Sequence, residues 1–114
     1  MNDCLFCKIV AGEIPSDKVF EDDLIYAFRD INPVAPTHVL IIPKQHLTNT
    51  NDLGAEQSEI AARLLTVVPE IAQQEGVDQS GYRLIANAGP DGRQEVMHLH
   101  VHLIGGQRMK HRMG

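Results

Sequence analysis

The 114-residue sequence has no long apolar segment, and none of its apolar runs approaches the length that crosses a membrane. Basic residues are also few, and a net charge of −5 argues against a duplex nucleic-acid binder, which would show a basic face. The start of the chain is acidic, unlike a secretory signal peptide. We therefore expect a cytoplasmic protein with no membrane and no nucleic-acid partner.

The sequence also lacks internal repeats, low-complexity segments and any stretch with the composition of a linker. A content of 43% hydrophobic residues is that of a globular protein. These observations predict one domain over residues 1–114.

Cysteine is scarce, and the only two, Cys4 and Cys7, form a C-x-x-C motif. A disulfide is not the default in the cytoplasm, and no strand leads into the motif as in a thioredoxin-like redox site. Two thiolates at this spacing can bind zinc, but a closed structural site needs two further ligands. By itself the motif is a weak signal.

The apolar spacing predicts one short helix and three strands in the first half of the chain. A short helix over residues 5–12 ends at Gly12, and "KVFE" and "LIYAFRD" form a hairpin around Asp22–Asp23. The apolar run "HVLIIP" has the length of a buried strand and ends at Pro43.

The second half is predicted to hold one long helix and two more strands. The helix covers residues 54–75, stops at Gly76 and is kinked at Pro69. The strands are "YRLIAN" and "VMHLHVHLI". Without a βαβ rhythm, this order predicts an α+β domain with a mostly antiparallel sheet.

Three histidines alternate along the last predicted strand. Alternate side chains of a strand point to one face, so His98, His100 and His102 line one face. The core then receives Leu99, Val101 and Leu103. A half-exposed strand that is only rich in histidine is the plainest interpretation. The row could also bind a catalytic zinc that activates water, or supply an imidazole nucleophile whose neighbours handle protons and phosphate charge. The alternation leaves these possibilities open.

His38 opens the strand "HVLIIP" and His46 lies just past its end, so they could lie on the order of 20 Å apart. We therefore expect them to serve different places. One could complete a zinc site with the cysteines, and the other could join the histidine row.

The segment "HLHVHL" resembles the motif of the histidine triad (HIT) nucleotide hydrolases and transferases. The resemblance to the histidine triad nucleotide-binding (Hint) branch, in its bacterial type with an N-terminal C-x-x-C, extends over nearly the whole chain. It includes "CLFCKIVAGEIPSDKVFEDDLIYAFRDINPVAPTHVLIIPKQH" and "GYRLIANAGPDGRQEVMHLHVHLIGG". It implies a HIT-like fold, with a mostly antiparallel five-stranded sheet, one short N-terminal helix and one long kinked helix, in a homodimer.

The resemblance implies a purine nucleotide-binding hydrolase that cleaves the P–N bond of nucleoside phosphoramidates to the nucleoside monophosphate. His100 would attack the α-phosphorus and form a covalent nucleotidyl-histidine intermediate, which water then hydrolyses. His102 would contact the phosphoryl oxygens, and His38 would orient His100. The alternatives are a dinucleoside polyphosphate hydrolase, or a nucleotide-binding regulatory protein with incidental turnover.

The resemblance also implies a nucleotide pocket. Apolar residues that would otherwise be assigned to the core become walls for the base, and Asp30 hydrogen-bonds the ribose hydroxyls. Asn87 and Gln94 would bond the phosphate, with the backbone of "GRQEV" cradling it and Glu95 acting through its backbone or standing at the surface. The implied nucleotide-binding set is Phe6, Ile9, Phe28, Asp30, Ile31, Asn87, Gln94, Glu95, Val96, His100 and His102.

A structural zinc is implied as the cofactor. Superfamily members with the early C-x-x-C combine it with a histidine after the third strand and with the first triad histidine. Transferred by position, the four ligands are Cys4, Cys7, His46 and His98. Such a closed site does no chemistry itself.

The chain departs from the family pattern at two places. Relatives commonly have Gly-Gly-Gln before the triad, whereas this chain has Gly92-Arg93-Gln94, so Arg93 either clashes with the phosphate or supplies charge to it. Animal relatives have a tail tryptophan that reaches the partner subunit's site, whereas this chain has none and places His111 nearby.

Overall fold

The structure is a computed structural model that describes residues 3–114. Met1 and Asn2, which belong to the predicted domain of residues 1–114, lie outside the described residues. The helices and strands are, in chain order, α1 (Leu5–Val10), β1 (Lys18–Glu21), β2 (Ile25–Arg29), β3 (Thr37–Pro43), α2 (Ser58–Thr66), α3 (Val68–Glu75), β4 (Tyr82–Ile85) and β5 (Val101–Gly105). The predicted α+β class with five strands is confirmed.

The five strands form one sheet in the order β1-β2-β3-β5-β4, and every neighbouring pair is antiparallel. The predicted hairpin is present because the Asp22 carboxylate accepts the backbone N–H groups of Leu24 and Ile25, at 2.9 and 2.8 Å, and so closes the turn. Strand β3 lies at the centre of the sheet, next to β5, which brings the residues around His38 close to the histidine row.

Both faces of the two central strands β2 and β3 are buried, which explains why "HVLIIP" is apolar throughout rather than alternating. One face packs against α2 and α3 and includes Ile25, Ala27, Val39 and Ile41. The other face packs against α1 and includes Tyr26, Phe28, Leu40 and Ile42.

The long helix predicted over residues 54–75 is bent, as expected. A 3₁₀ turn at Ala55–Gln57 leads into α2, and the chain breaks at Val67 before α3 because Pro69 cannot donate a bond to the carbonyl four residues earlier. Gly76 ends α3 with a φ of 74°, a left-handed conformation that favours glycine. The longest α-helix among residues 3–114 has nine residues, so no helix in this part of the chain is long enough to cross a bilayer.

The last strand is shorter than predicted, since the segment over residues 96–104 enters the sheet only at Val101. Val101 lies opposite Ile41, and the ladder does not continue towards Pro43, which has no N–H to donate. The backbone N–H of Leu99 bonds instead to the carbonyl of Leu47 at 2.6 Å. The alternation persists across this boundary, because the core receives Leu99, Val101 and Leu103 as predicted.

Candidate functional site

The N-terminal helix α1 brings both cysteines to the sheet face that it covers. Phe6 and Ile9 are buried under it. Cys4 caps the helix, and its Sγ accepts the backbone N–H of Cys7 at 3.4 Å. Since Cys4 and Cys7 are three residues apart at a helix start, their sulfurs lie on the same side.

The four predicted metal ligands, Cys4, Cys7, His46 and His98, lie together, with donor atoms all within 4.8 Å of one another. The distance from Cys4 Sγ to His98 Nδ1 is 3.3 Å, and that from Cys7 Sγ to His46 Nδ1 is 3.4 Å. His46 Nδ1 and His98 Nδ1 are 3.2 Å apart. Ligands of a tetrahedral zinc, bound at about 2.0–2.3 Å, are separated by roughly 3.3–3.8 Å. The donor set therefore fits zinc.

The ring of His98 is oriented for ligation. Its Nε2–H donates to the carbonyl of Pro43 at 2.8 Å, so Nδ1 carries the lone pair that faces the sulfurs. The ring is fully buried, and burial lowers the pKa of His98, which favours the neutral form that a metal needs. With four protein donors, the site has no open coordination position.

A second group, on the same sheet face, links His38 to His102. The Val34 backbone N–H donates to His38 Nδ1 at 3.2 Å, so His38 Nε2 carries the proton. That Nε2–H points at His102 Nδ1, 2.9 Å away, and lies 3.4 Å from Asp30 Oδ2. His102 Nδ1 is then the acceptor, which leaves the proton of the neutral ring on Nε2.

The family resemblance implies that His38 orients His100, whereas the structure places His38 against His102. His38 contacts His102 because Leu40 of β3 lies opposite His102 of β5. His38 is two residues from Leu40 along β3, so its side chain is on the same face as that of His102. His100 precedes β5 and is outside that ladder. The donor atoms of Asp30, His38 and His102 lie within 4.8 Å of one another, but the proton on His38 Nε2 makes this group a hydrogen-bonded network rather than a metal site.

His100 is held by the backbone of the segment that leads into β5. Its Nδ1–H donates to the carbonyl of His98 at 2.7 Å, so Nε2 carries the lone pair. Its ring packs edge-to-face with the ring of Phe6, with centroids 5.2 Å apart, and the centroid of the His102 ring lies 5.0 Å away. The ring is 6% exposed and lines the cleft. It therefore combines a fixed tautomer with access to a ligand.

The histidines beside His100 are kept neutral by their surroundings. Burial is the main cause that lowers the pKa of His38, against the opposing pull of Asp30. Burial, followed by the neighbouring His100 and His38, lowers the pKa of His102 to about 4. At pH 7 His102 is therefore a neutral hydrogen-bond donor rather than a cation.

A cleft of about 580 Å³ opens over His100 and His102. Ten of the eleven predicted nucleotide-binding residues line it, together with His38: they are Phe6, Ile9, Phe28, Asp30, Ile31, Asn87, Glu95, Val96, His100 and His102. The sequence prediction missed Leu5, Ile14, Pro15, Asn32, Val34 and Leu40. Ile14 and Val34 each adjoin a proline in a loop, and an apolar residue in such a rigid turn is the signal that could have identified them.

Gln94 is the predicted residue that does not line the cleft. Its side-chain amide is used inside the protein, where Nε2–H groups donate to the carbonyls of Thr48 and Val96 and Oε1 accepts from Asn49 and the Gly89 N–H. Gln94 thus holds the loop of residues 87–96 against the segment after β3.

The same loop presents donors to the cleft. The amide of Asn87 donates to the carbonyl of Gly92 at 2.7 Å, which closes the loop on itself. Among residues 3–114, no protein acceptor takes the backbone N–H of Glu95 or Val96. Both residues line the cleft that also contains His100, and backbone N–H groups in such a loop are the kind of donor that binds an anion.

Comparisons with known proteins agree with this arrangement. Residues 11–109 match the HIT domain family. A purine nucleoside phosphoramidase of Escherichia coli is 52% identical over 103 residues, which cover 90% of this chain and 87% of that protein. A 14 kDa zinc-binding protein of Zea mays is 50% identical over 107 residues, with 92% and 83% covered. The crystal structure of a HIT family hydrolase from Legionella pneumophila has a TM-score of 0.91 at 53% identity, and covers 95% of this chain and 96% of that one.

Proposed function

Because this chain belongs to the HIT domain family, we propose that it binds purine nucleotides and cleaves the P–N bond of nucleoside phosphoramidates, with a nucleoside monophosphate as product. The observation that carries this proposal is the orientation of His100. Its Nδ1–H is fixed by the carbonyl of His98, so the Nε2 lone pair is available at the cleft for attack on phosphorus.

The proposed reaction has two displacements at the α-phosphorus. In the first, His100 Nε2 forms a bond to phosphorus while the bond to the amine breaks, and the amine leaves with its electron pair and takes up a proton. In the second, water attacks the phosphorus of the nucleotidyl-histidine, loses a proton and releases His100. A neutral imidazole suits this role because it is an adequate nucleophile near pH 7.

The neighbours of His100 would stabilise the charge on the phosphoryl oxygens. His102 Nε2–H is a donor because Nδ1 is occupied by His38. The backbone N–H groups of Glu95 and Val96 add two more donors at the same end of the cleft. Fixed donors of this kind contribute more in the transition state than in the ground state. In this proposal, Gln94 acts by holding the loop rather than by touching phosphate.

The apolar part of the cleft would hold the nucleoside. Phe6, Ile9 and Phe28 form buried apolar walls, and Ile31 lies at the rim with 89% of its surface exposed. Asp30 would accept from the ribose hydroxyls. One of its oxygens already accepts the Asn32 backbone N–H at 2.8 Å, which fixes the carboxylate.

We also propose that Cys4, Cys7, His46 and His98 hold zinc, supported by the spacing of their donor atoms. When bound, such an ion supplies a structural cross-link, since four protein ligands leave no position for water. The expectations of one domain, a homodimer, a cytoplasmic location and no nucleic-acid or membrane partner stay predictions.

The experiment compares initial rates on adenosine phosphoramidate and on a diadenosine polyphosphate, for the wild type and for His100→Ala. We expect the wild type to prefer the phosphoramidate. His100→Ala should lower kcat by about 10⁴-fold or more, as loss of a nucleophile does, while the Kd for the nucleoside monophosphate changes little.

Preference for the polyphosphate would instead indicate the sister hydrolase activity. Slow turnover of both substrates with tight nucleotide binding would indicate a regulatory nucleotide-binding protein. Near-wild-type turnover by His100→Ala would contradict the covalent step. Trapping a nucleotidyl adduct on the quenched wild-type enzyme by mass spectrometry, and its absence from the variant, provides the independent readout.

A further inference from the structure

Arg93 has an unusual backbone conformation for its residue type. Its φ is 61°, and no other non-glycine residue among residues 3–114 has a positive φ. Side chains with a Cβ are strained in this left-handed region, which favours glycine. Strain of this kind is retained where the surrounding structure enforces it, and functional sites are common places for it.

The loop on both sides of Arg93 is firmly held. Its own N–H donates to the carbonyl of Pro90 at 3.0 Å, and the preceding carbonyl of Gly92 accepts from Asn87. The following residue, Gln94, makes four hydrogen bonds through its side chain. The Arg93 side chain therefore projects from a fixed point on the cleft rim.

Arg93 is also the only lysine or arginine among the described residues that line the cleft. Asp30 and Glu95 are the two carboxylates there, and His102 is neutral at pH 7. Among residues 3–114, none of the ion pairs includes the Arg93 guanidinium. The charge on Arg93 is thus available to a ligand.

The position of Arg93 relative to His100 identifies which part of a substrate it meets. His100 is buried, whereas Arg93 is exposed at the mouth of the cleft. In displacement at phosphorus the leaving group lies roughly opposite the nucleophile. An amine that leaves from a phosphorus bound at His100 therefore points outwards, towards the rim that holds Arg93 and Glu95.

We infer that Arg93 is a specificity-determining residue that binds a carboxylate on the leaving amine, so that nucleoside phosphoramidates of amines with a free carboxylate are preferred over those of neutral amines. This inference rests on the proposed hydrolysis of P–N bonds. Glu95 lies on the same rim and opposes an anion, so removal of Arg93 should abolish the preference or reverse it.

The test uses two substrates that differ in one group, the adenosine phosphoramidates of glycine and of glycinamide. We expect the wild type to have a kcat/KM ratio of about three to five in favour of the carboxylate, the effect of one exposed ion pair. In Arg93→Gln the ratio should fall to one or below, with kcat/KM for glycinamide nearly unchanged. Glu95→Gln should raise the ratio.

Two further variants keep the test decisive. Arg93→Gly removes the charge at a backbone conformation that glycine prefers, so it should fold and give the same low ratio. Lys18→Gln is the control. It removes an equal charge from the edge strand β1, where Lys18 does not line the cleft, and it should keep the wild-type ratio.

An unchanged ratio in both Arg93 variants would overturn the inference, and so would an equal loss on both substrates, which would place Arg93 at the α-phosphate. Either result leaves the proposed function intact. If the wild type hydrolysed neither substrate, the proposed function would be overturned and, with it, the role of Arg93.

Discussion

Backbone groups decide where His98, His100 and His38 keep their protons. His98 donates through Nε2 to the carbonyl of Pro43, and His100 donates through Nδ1 to the carbonyl of His98. His38 accepts the N–H of Val34 on Nδ1 and therefore donates from Nε2 to His102. In the proposed function, the lone pair that attacks phosphorus and the N–H that donates to phosphate are thus set before a substrate binds, which is the preorganisation that catalysis needs.

The low pKa of His102 makes the stability of the protein depend on pH. The folded pKa is about 4, whereas the unfolded chain has the ordinary value near 6.5, so the unfolded state binds more protons between these values. The contribution of His102 is complete above pH 6.5, is lost as the pH falls through this window, and changes no further below pH 4. The loss amounts to at most about 3 kcal/mol.

Urea denaturation at pH 7.0, 6.0, 5.0 and 4.5 measures this effect. The free energy of unfolding of the wild type should decrease along this series more steeply than that of His102→Gln, which has no titrating ring. Taking the difference between the two proteins at each pH removes contributions from other groups. Parallel curves would show that the His102 ring does not carry the predicted dependence.

Local sequence patterns predicted most of the helices and strands. Gly12, Pro43 and Gly76 end elements close to where the pattern indicated, since each has a local conformational cause. The alternation of Leu99 and Val101 with the histidines likewise sorted the two faces correctly.

The pattern could not predict which histidine touches which. That depends on the β3–β5 register, with Leu40 opposite His102, and on the loss of pairing near Pro43, both of which join residues about 60 positions apart. The same applies to Gln94. Its residue type suits a phosphate contact, but its four partners come from three separate segments, which no local spacing reveals.

The loop of residues 87–96 should be sensitive to one added methyl group. A Cβ at Gly92 would lie 2.5 Å from the carbonyl oxygen of Ala88, so Gly92→Ala must shift the backbone that carries Arg93 and Gln94. We expect a loss of about 1–3 kcal/mol in stability, typical of an overpacked site, with a lower kcat/KM as well.

Gly54→Ala is the matched control. Its Cβ would approach only the flexible end of Gln57, at 3.4 Å, and its φ of −120° suits alanine. Thermal melts and phosphoramidate hydrolysis on both variants compare them directly. Equal behaviour of the two variants would mean that the loop yields to the methyl group and is not rigid.

Helix α1 contacts both the proposed zinc site and the cleft that contains His100. It supplies Cys4 and Cys7 to the proposed zinc site and Phe6 to the ring of His100. The other two proposed ligands are His46, just beyond β3, and His98, just before β5. A zinc ion there would tie the first helix to the centre of the sheet, and His98 would join the metal site to the backbone that holds His100.

If this zinc is structural, purified protein should contain one zinc per chain, and Cys4→Ser should lower metal content and Tm together, because structural metal binding is part of the folding free energy. We expect a decrease in Tm of about 5 °C or more. The folded fraction of the variant should keep much of its activity per active site, since a closed site cannot activate water. Metal analysis with active-site titration measures this, and zinc added to chelated wild type should restore Tm. Activity that instead follows metal occupancy, at constant folded fraction, would indicate a catalytic zinc.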